Sequence, residues 1–399
     1  MTTRIDRTVL TVTANGIDCS AYVASLRLRF GYDLRVSEAE VDLYDLPAGI
    51  DYWDTLVVSC GSTGTGTAGN VQRFNGYITD VNYDLWPTTI RLEGRGPLVL
   101  AERLRVPEDE EAEGLINPIL VPDFEAPGID MSVNPDTEAE WSDADMVTWL
   151  LQKAGLGGRI AQIGGTGRIL GTEAIDQYVW RRGQSALEFI EELDNVCLGH
   201  RTFEGLAGRI YRLVTSPRVP FVDSRIDVTE GTHPLDSSRL NRGIKGARNR
   251  VVVRGFDDGG GPVLFQATCA HPAPPPGISL ETEYLSSPLI EFELIGDGDG
   301  LSCQEVAAWK LDEVRHAWIE AVVPVWMDNA FQVGGTAYLN SPHLGSVNQA
   351  LWIKHIDIEV GEDGSFTQTL TLRGAAADAL RIAPVPGAFA LPSALVVNP

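Results

Sequence analysis

Two stretches far apart in the chain carry the same strand–turn–strand pattern, and that echo constrains the fold more than any other feature of the sequence. In LWIKHIDIEVGEDGSFTQTLTLRG (351–374), Ile356, Ile358 and Val360 alternate with His355, Asp357 and Glu359. After a Gly-Glu-Asp-Gly break, Phe366, Leu370 and Leu372 alternate with Thr367, Thr369 and Thr371. Period-2 alternation around such a break predicts a β-hairpin, because successive strand side chains point to opposite faces. FNGYITDVNYDLWPTTIRLEGRG (74–96) has the same design, with Ile78-x-x-Val81, a turn at Trp86-Pro87, and then Thr89-Ile90-Arg91-Leu92-Glu93-Gly94. The later copy answers with Ile353-x-x-Ile356 and Thr369-Leu370-Thr371-Leu372-Arg373-Gly374. Upstream, DYWDTLVV (51–58) stands before the first hairpin as DNAFQVGGTAYL (328–339) stands before the second. A chain that builds one hairpin twice is expected to build one domain twice.

The surrounding sequence fits that expectation. Residues 1–104 hold short, turn-punctuated strand patterns, the rhythm of a barrel or sandwich. An acidic run at Glu108, Asp109, Glu110, Glu111 and Glu113 leads into a Pro-rich stretch that reads as a solvated connector. Two helices then announce their starts. Ser142 with Asp145 opens DADMVTWLLQKAG, stopped at Gly155, and Ser185 with Glu188 opens ALEFIEELDNVCLG, stopped at Gly199. Leu187, Ile190, Leu193 and Cys197 make one apolar stripe on the second helix. A hairpin over 201–216 completes an α/β module spanning 105–218. From 219 to 380 the chain returns to strands, with RNRVVVRGF (248–256) reading as buried and a Gly/Pro-rich insertion at about 257–300. Ser302 and Glu305 open a predicted helix, CQEVAAWKLDEVRHAWIEAVV, before the strand TAYLNS and the second hairpin. A Pro/Ala-rich tail covers 381–399. The expected fold is therefore mainly β with an α+β insert: two related tube-like β-barrel domains joined by a small α/β module.

At 399 residues with 44% hydrophobic content, the chain is long enough for two or three packed domains. A net charge of −24 disfavours nucleic acid or an anionic membrane as the main partner. It would suit the wall of a conduit through which DNA slides. Cys19, Cys60, Cys197, Cys269 and Cys303 show no C-x-x-C or zinc spacing, so free buried thiols and a reducing cytoplasm are expected. The start lacks an apolar signal core and no run reaches membrane-spanning length, which implies a soluble chain without stable membrane insertion.

Motifs for chemistry are weak. GTGTAG (64–69) matches G-x-G-x-x-G, but a strand pattern follows where the dinucleotide fingerprint needs a helix. GDGDG (296–300) lacks the acid spacing and entering helix of a calcium loop. His200, His233, His271, His316, His343 and His355 are scattered; His316 and Glu320 stand one helical turn apart, without an HExxH. No G-x-S-x-G supports a hydrolase triad. No catalytic, cofactor-binding or metal-ligating residue is assigned, and no cofactor is expected.

One concentrated basic stretch breaks the acidic background: Arg239, Arg242, Lys245, Arg248, Arg250 and Arg254, with no acid among them. Nucleic acid is one reading, but aromatic interleaving for base stacking is missing. An acidic neighbouring subunit is the favoured counterpart, since complementary patches steer assembly and fix register. A solvated face is the plain alternative.

Taken in order, RFNGYITDVNYD…TIRLEGRGPLVLAERL, RRGQSALEFIEELDNVCLGHRTFEGLAGRIYRL, KGARNRVVVRG and VPVWMDNAFQVGGTAYLNSPHLG…LWIKHIDIEVGEDGSFTQTLTLRG resemble the baseplate hub and tail-tip hub proteins of bacteriophage tails. This group also includes late-control hubs and the hub part of type VI secretion spikes. The resemblance runs from about residue 20 to 375 and rests on the order of the pieces. It implies a homotrimer whose duplicated barrels give six similar lobes, mating a six-fold tail tube with a three-fold spike or fibre. It also implies a lumen lined for the tape-measure protein and then DNA, in a virion tail assembled in the host bacterial cytoplasm. Partners would be the distal tail or tube ring, a spike or central fibre chain, and the tape-measure protein. No lysozyme domain or β-helical spike repeats follow residue 375, so the spike would be a separate chain gripping the segment Ile382 to Pro399. The expected protein is a structural one, not an enzyme. The rival readings are a tail-associated cell-wall glycosidase, which needs two facing carboxylates in a cleft, and a receptor- or carbohydrate-binding tail-tip protein, for which nine Trp are available.

Overall fold

The computed structural model describes residues 8–62, 70–85, 88–106, 128–131, 133–165, 179–196, 200–214, 226–229, 237–242, 250–256, 262–268, 290–291, 307–308, 310–311, 319–326, 330–341, 346–361, 364–374 and 381–384. The chain divides into two compact units, one of Met1–Leu240 with Ala321–Leu372, the other of Asn241–Glu320 with Arg373–Pro399.

The first β region holds β1 (Thr8–Ala14), β2 (Ile17–Asp18), β3 (Val23–Gly31), β4 (Glu38–Leu43), β5 (Thr55–Ser62), β6 (Val71–Leu85) and β7 (Thr88–Arg95). A short helix, α1 (Val99–Arg103), follows. Next come β8 (Gly128–Asp130), α2 (Asp143–Lys153), β9 (Ile160–Ile163), β10 (Val179–Arg181), α3 (Ala186–Val196), β11 (His200–Glu204) and β12 (Ile210–Val214). Beyond them lie β13 (Ile226–Thr229), β14 (Arg239–Arg242), β15 (Arg250–Phe256), β16 (Pro262–Thr268) and β17 (Ile290–Glu291). The chain ends with β18 (Ile319–Val325), β19 (Thr336–Ser341), β20 (Ser346–Val360), β21 (Phe366–Gly374) and β22 (Arg381–Pro384).

The protein is mainly β, as expected. The largest sheet has thirteen strands in the order β14-β18-β21-β20-β3-β4-β7-β6-β5-β1-β2, with β19 also paired to β20 and β13 to β19. Among the described residues this path is open and closes into no barrel. The two β regions expected as separate domains are joined edge to edge, because β20 pairs antiparallel with β3 from His355↔Gly31 to Val360↔Leu26. Both hairpins form: β6 pairs with β7 through Tyr77↔Arg95 and Val81↔Leu92, and β21 lies beside β20. The alternation read from the sequence is the burial pattern, with Ile356, Ile358, Leu370 and Leu372 fully inside. One polar side chain joins them, Gln368, which takes the buried position between Phe366 and Leu370.

Two of the three predicted helices begin where their caps stand; Ser302 and Glu305, the cap of the third, lie outside the described residues. Ser142 and Asp145 form a reciprocal capping box on α2, and Ser185 with Glu188 exchanges the same pair of bonds on α3. Past α2, Gly155 takes φ +77°, a left-handed turn that a residue with a Cβ adopts only under strain. Met146, Val147, Leu150 and Leu151 of α2 and Phe189 and Ile190 of α3 are fully buried in one core. Each such side chain gains about 1.5–3 kcal/mol from leaving water. Trp141 and Trp149 close that core edge to face, 5.8 Å between centroids. The α3 stripe holds at Leu187, Ile190 and Leu193; Cys197 and Gly199 lie outside the described residues.

The helix predicted over 303–323 is corrected at its carboxyl end. Residues 307–308 and 310–311 are helical, but Ile319–Val325 is a strand. Ile319, Ala321 and Val323 are buried and alternate with the less buried Glu320 and Val322, before Pro324 and Val325 are buried together, and that period decides against Ala and Glu helix propensity. Glu320 therefore sits on a strand, hydrogen-bonded by Arg373 at 3.1 Å, and its pairing with His316 on a helix face is withdrawn. The second unit holds a four-stranded sheet, β17-β15-β16-β22. In it Val251 and Val253 of β15 are fully buried, as RNRVVVRGF suggested.

Candidate assembly edges

The strand order about β6 repeats about β20. On one side lie β5, β6, β7, β4 and β3 in succession; on the other, β19, β20, β21, β18 and β14. The repeat holds at the level of single bonds. Tyr77 of β6 stands opposite Thr55, and Trp352 of β20 stands opposite Thr336. Trp53 N–H donates to Ile78 O while Ile78 N–H donates to Asp54 O; Gly334 N–H donates to Ile353 O while Ile353 N–H donates to Gly335 O. The four bonds measure 2.8–2.9 Å. The sequence echo is thus a structural one.

The long central strand β20 carries two successive neighbours along one edge. The first half of β20 pairs with β19 and its second half with β3. In that seam Leu26, Leu28 and Phe30 face Val360, Ile358 and Ile356 across the ladder, all buried. On the opposite face Arg27 meets Glu359 at 3.2 Å, and Arg29 reaches Asp357 at 3.9 Å and Glu38 at 3.3 Å. Half-exposed pairs of this kind are worth roughly 0.2–1 kcal/mol each, so they set register more than stability. Gly31 is needed where His355 crosses, because a Cβ there would overlap the imidazole.

Beyond the ladder, Asp33 holds both Lys354 and His355 of β20, the latter at 2.7 Å. Burial pushes the Asp33 carboxyl up, but the hydrogen bonds and charges of His355 and Lys354 outweigh it and hold the group well below the usual carboxylate range. A depressed folded-state pKa gives stability that is present above the unfolded value and lost as pH falls through the folded one. Denaturant midpoints for wild type and Asp33→Asn should therefore differ modestly at pH 6, the pair being half exposed. They should converge as pH drops below about 4.

The corresponding edge of β6 is only half covered among the described residues. Its first half pairs with β5 as far as Tyr77; beyond Ile78, among the described residues, no strand lies on that edge. Tyr83, there, is 64% exposed. At the far end of the path β14 has, among the described residues, a neighbour on one side only.

The basic stretch is divided rather than gathered. Arg239 and Arg242 lie in β14 of the large sheet, and Arg250 and Arg254 in β15 of the four-stranded one. Arg239 is exposed, Arg250 donates to Gln266 Oε1 at 3.1 Å, and Lys245 and Arg248 lie outside the described residues. Of the C-terminal segment, Ile382–Pro384 belongs to β22, paired with β16, and the rest lies outside. GTGTAG, GDGDG, the turn at Trp86-Pro87, the acidic run, His233, His271, His316 and His343 also lie outside, as do Cys269 and Cys303.

The interior carries ionisable groups that the sequence reading did not single out. Arg212 of β12 is fully buried between Asp143 and Asp194, at 2.7 and 2.8 Å. Glu204 of β11 is buried and accepts from the Ser37 amide and hydroxyl and from the Leu98 amide. These contacts join residues distant in sequence, which a one-dimensional reading cannot see. Cys19 and Cys60 are free and buried, and burial pushes the Cys60 thiol up to about 12, which makes it unreactive.

A groove of about 300 Å³ at the β3–β20 seam is lined by Arg27, Glu40, Asp42 and Glu359 among others. Two of its carboxylates are engaged: Asp42 by Arg91 at 2.8 Å and by the Ser25 hydroxyl, and Glu359 by Arg27. Among the described Trp residues, Trp141, Trp149, Trp180 and Trp352 are buried. Trp53 and Trp326 are half exposed, Trp53 beneath Arg103, 5.6 Å from its ring. Among the described residues no cluster of His, Cys, Asp or Glu could hold a metal ion. No helix among them is long and apolar enough to cross a membrane.

This arrangement is the fold of phage tail proteins. The 43 kDa tail protein of prophage MuSo2 from Shewanella oneidensis superimposes with a TM-score of 0.64 at 10% identity, over 92% of this chain and 98% of that one. A tail protein from Neisseria meningitidis gives 0.62 at 8% identity, over 92% and 96%. An Escherichia coli component of the type VI secretion system, described as structurally similar to the T4 tail proteins gp27 and gp5, gives 0.53 at 9% identity, over 92% and 77%. No protein-family model and no curated protein matches the sequence. The chain thus has the tail-protein fold to which the order of its sequence pieces pointed.

Proposed function

We propose that this chain is the structural, non-enzymatic hub of a bacteriophage tail, located at the baseplate or tail tip and assembled in the host cytoplasm. Three copies form a ring in which the strand sets about β6 and β20 act as tube-like lobes, six in all. The ring joins the six-fold tail tube to a three-fold spike or fibre, and its lumen passes the tape-measure protein and then DNA. The domains are those of the sequence reading: residues 1–104 and 219–380 as the two lobes, with 105–218 as the α/β module. The basic stretch from Arg239 to Arg254 faces an acidic neighbour, and the segment Ile382 to Pro399 docks the spike or fibre chain. The observation that carries this reading is the repeated strand order about β6 and β20. Two similar lobes per subunit let a three-fold assembly meet a six-fold one through quasi-equivalent contacts, and a closed ring leaves no unsatisfied interface. The named tail proteins of like fold support it.

The test is the solution mass of the purified chain together with electron micrographs along its symmetry axis. A particle of three chains with six similar lobes around an open channel is expected. A three-fold particle without six lobes would overturn the duplicated-lobe reading and keep the assembly role. A monomer that stays monomeric with its tail partners would overturn both.

A further inference from the structure

By the repeated order, β20 corresponds to β6, and β3, which closes β20's edge, corresponds to β14. Within the chain β3 lies along the second half of β20, but among the described residues neither the second half of β6 on the equivalent edge nor β14 on its outer edge has a strand beside it. An exposed strand edge is a row of unpaired amides and carbonyls that invites another strand.

We infer that β14 of one copy adds to the β6 edge of the next, reproducing the β3–β20 ladder as a head-to-tail contact. This rests on the ring reading above and specifies its interface. The register follows from sequence and pairing together. Arg27-Leu28 in β3 matches Arg239-Leu240 in β14, and Tyr77 and Trp352, placed alike by their strand partners, set Tyr83 and Asp84 level with Ile358 and Glu359. Leu28 faces Ile358 and Arg27 faces Glu359 inside the chain. The intermolecular ladder therefore sets Leu240 opposite Tyr83 and Arg239 opposite Asp84.

Two further observations point the same way. Tyr83 is 64% exposed at a position whose counterpart, Ile358, is fully buried beneath β3. One charge position repeats as well: Asp84 of β6 stands level with Glu359 of β20, and Arg239, placed like Arg27, is exposed. A contact between two different edges is heterologous, so it propagates from copy to copy until it closes on itself.

The experiment uses the full chain. Leu240→Cys with Tyr83→Cys, oxidised in dilute solution, should give covalent dimers and closed trimers on a denaturing gel, while each single variant stays monomeric. In parallel, Arg239→Glu and Asp84→Arg should each cut the oligomer fraction in sedimentation at least tenfold, and the double variant should restore it. The cross-link reports on register even if a charge variant folds poorly. A wild-type trimer that forms no cross-link and ignores both charge reversals would overturn this interface and leave the ring reading standing. A chain that stays monomeric alone and with its tail partners would overturn the two together.

Discussion

Replacing Arg212 by methionine is expected to cost about 3–5 kcal/mol of folding stability, the price of stranding two buried carboxylates. Arg212 shows no exposed surface, and its guanidinium donates from Nη1 to Asp143 Oδ2 and the Gly164 carbonyl and from Nε to Asp194 Oδ1. Asp143 begins α2 and Asp194 lies in α3, so one side chain on a strand fastens both helices of the α/β region. Asp194 further accepts from the Thr202 amide, which ties α3 to β11. Methionine fits the volume but removes the guanidinium that reaches both acids, leaving Asp194 with Arg35 at 3.8 Å as its cation. Lysine should recover little, because a single ammonium cannot fork to two carboxylates. Denaturant melts monitored by near-ultraviolet dichroism would show the loss. An Arg212→Met variant with an unchanged midpoint would sink this account of the module's anchoring.

Glu204→Ala should rank next, at about 2–5 kcal/mol, since it leaves the Ser37 and Leu98 amides and the Ser37 hydroxyl buried without their acceptor. The site is tightly built. A Cβ at Gly96 would strike the Glu204 carboxylate, so Gly96→Ala should disrupt the same place. Burial pushes the Glu204 carboxyl up to about 7, against three donors that favour the ion. Its folded-state pKa thus lies above the value of about 4.3 in the unfolded chain. The contribution is fully present below that value and fades as pH rises through about 7. Urea midpoints for wild type should therefore fall between pH 5 and pH 8 relative to those of Glu204→Gln, which has no proton to lose.

The strands and two main helices were legible because local periodicity and capping chemistry fixed them. The Ser142–Asp145 and Ser185–Glu188 pairs marked their helix starts from four residues of sequence each. The echo about Ile78 and Ile353 located equivalent strands before any pairing was known. Reading failed where the decision is tertiary. Ile319–Val325 carries Ala and Glu and passes for a helix end until the sheet beside it imposes alternation. The β3–β20 seam joins stretches that no local window spans, so two β regions looked like two separate bodies. The same blindness hid Arg212 and Glu204, whose partners come from other elements. The basic stretch, conversely, looked like one patch because its residues are close in sequence, yet β14 and β15 carry its two ends into different sheets.

The pairing of β3 with β20 also sets a clock. The partner of Leu26–Gly31 is His355–Val360, so a ribosome must add more than three hundred residues before the first edge can be covered. At about 5–20 residues per second that interval is on the order of 15–60 s. During it β3 is an open strand alternating Leu26, Leu28 and Phe30 with Ser25, Arg27 and Arg29. Arg27 and Arg29 later bind Glu359 and Asp357; until then they stand as positive charges on a strand edge, Arg29 with Glu38 of β4 beside it, where charge discourages pairing with the wrong chain. The residues that fix the register of the finished seam are thus also the guards of the unfinished one, and neutralising them should harm the yield of folded protein more than its stability.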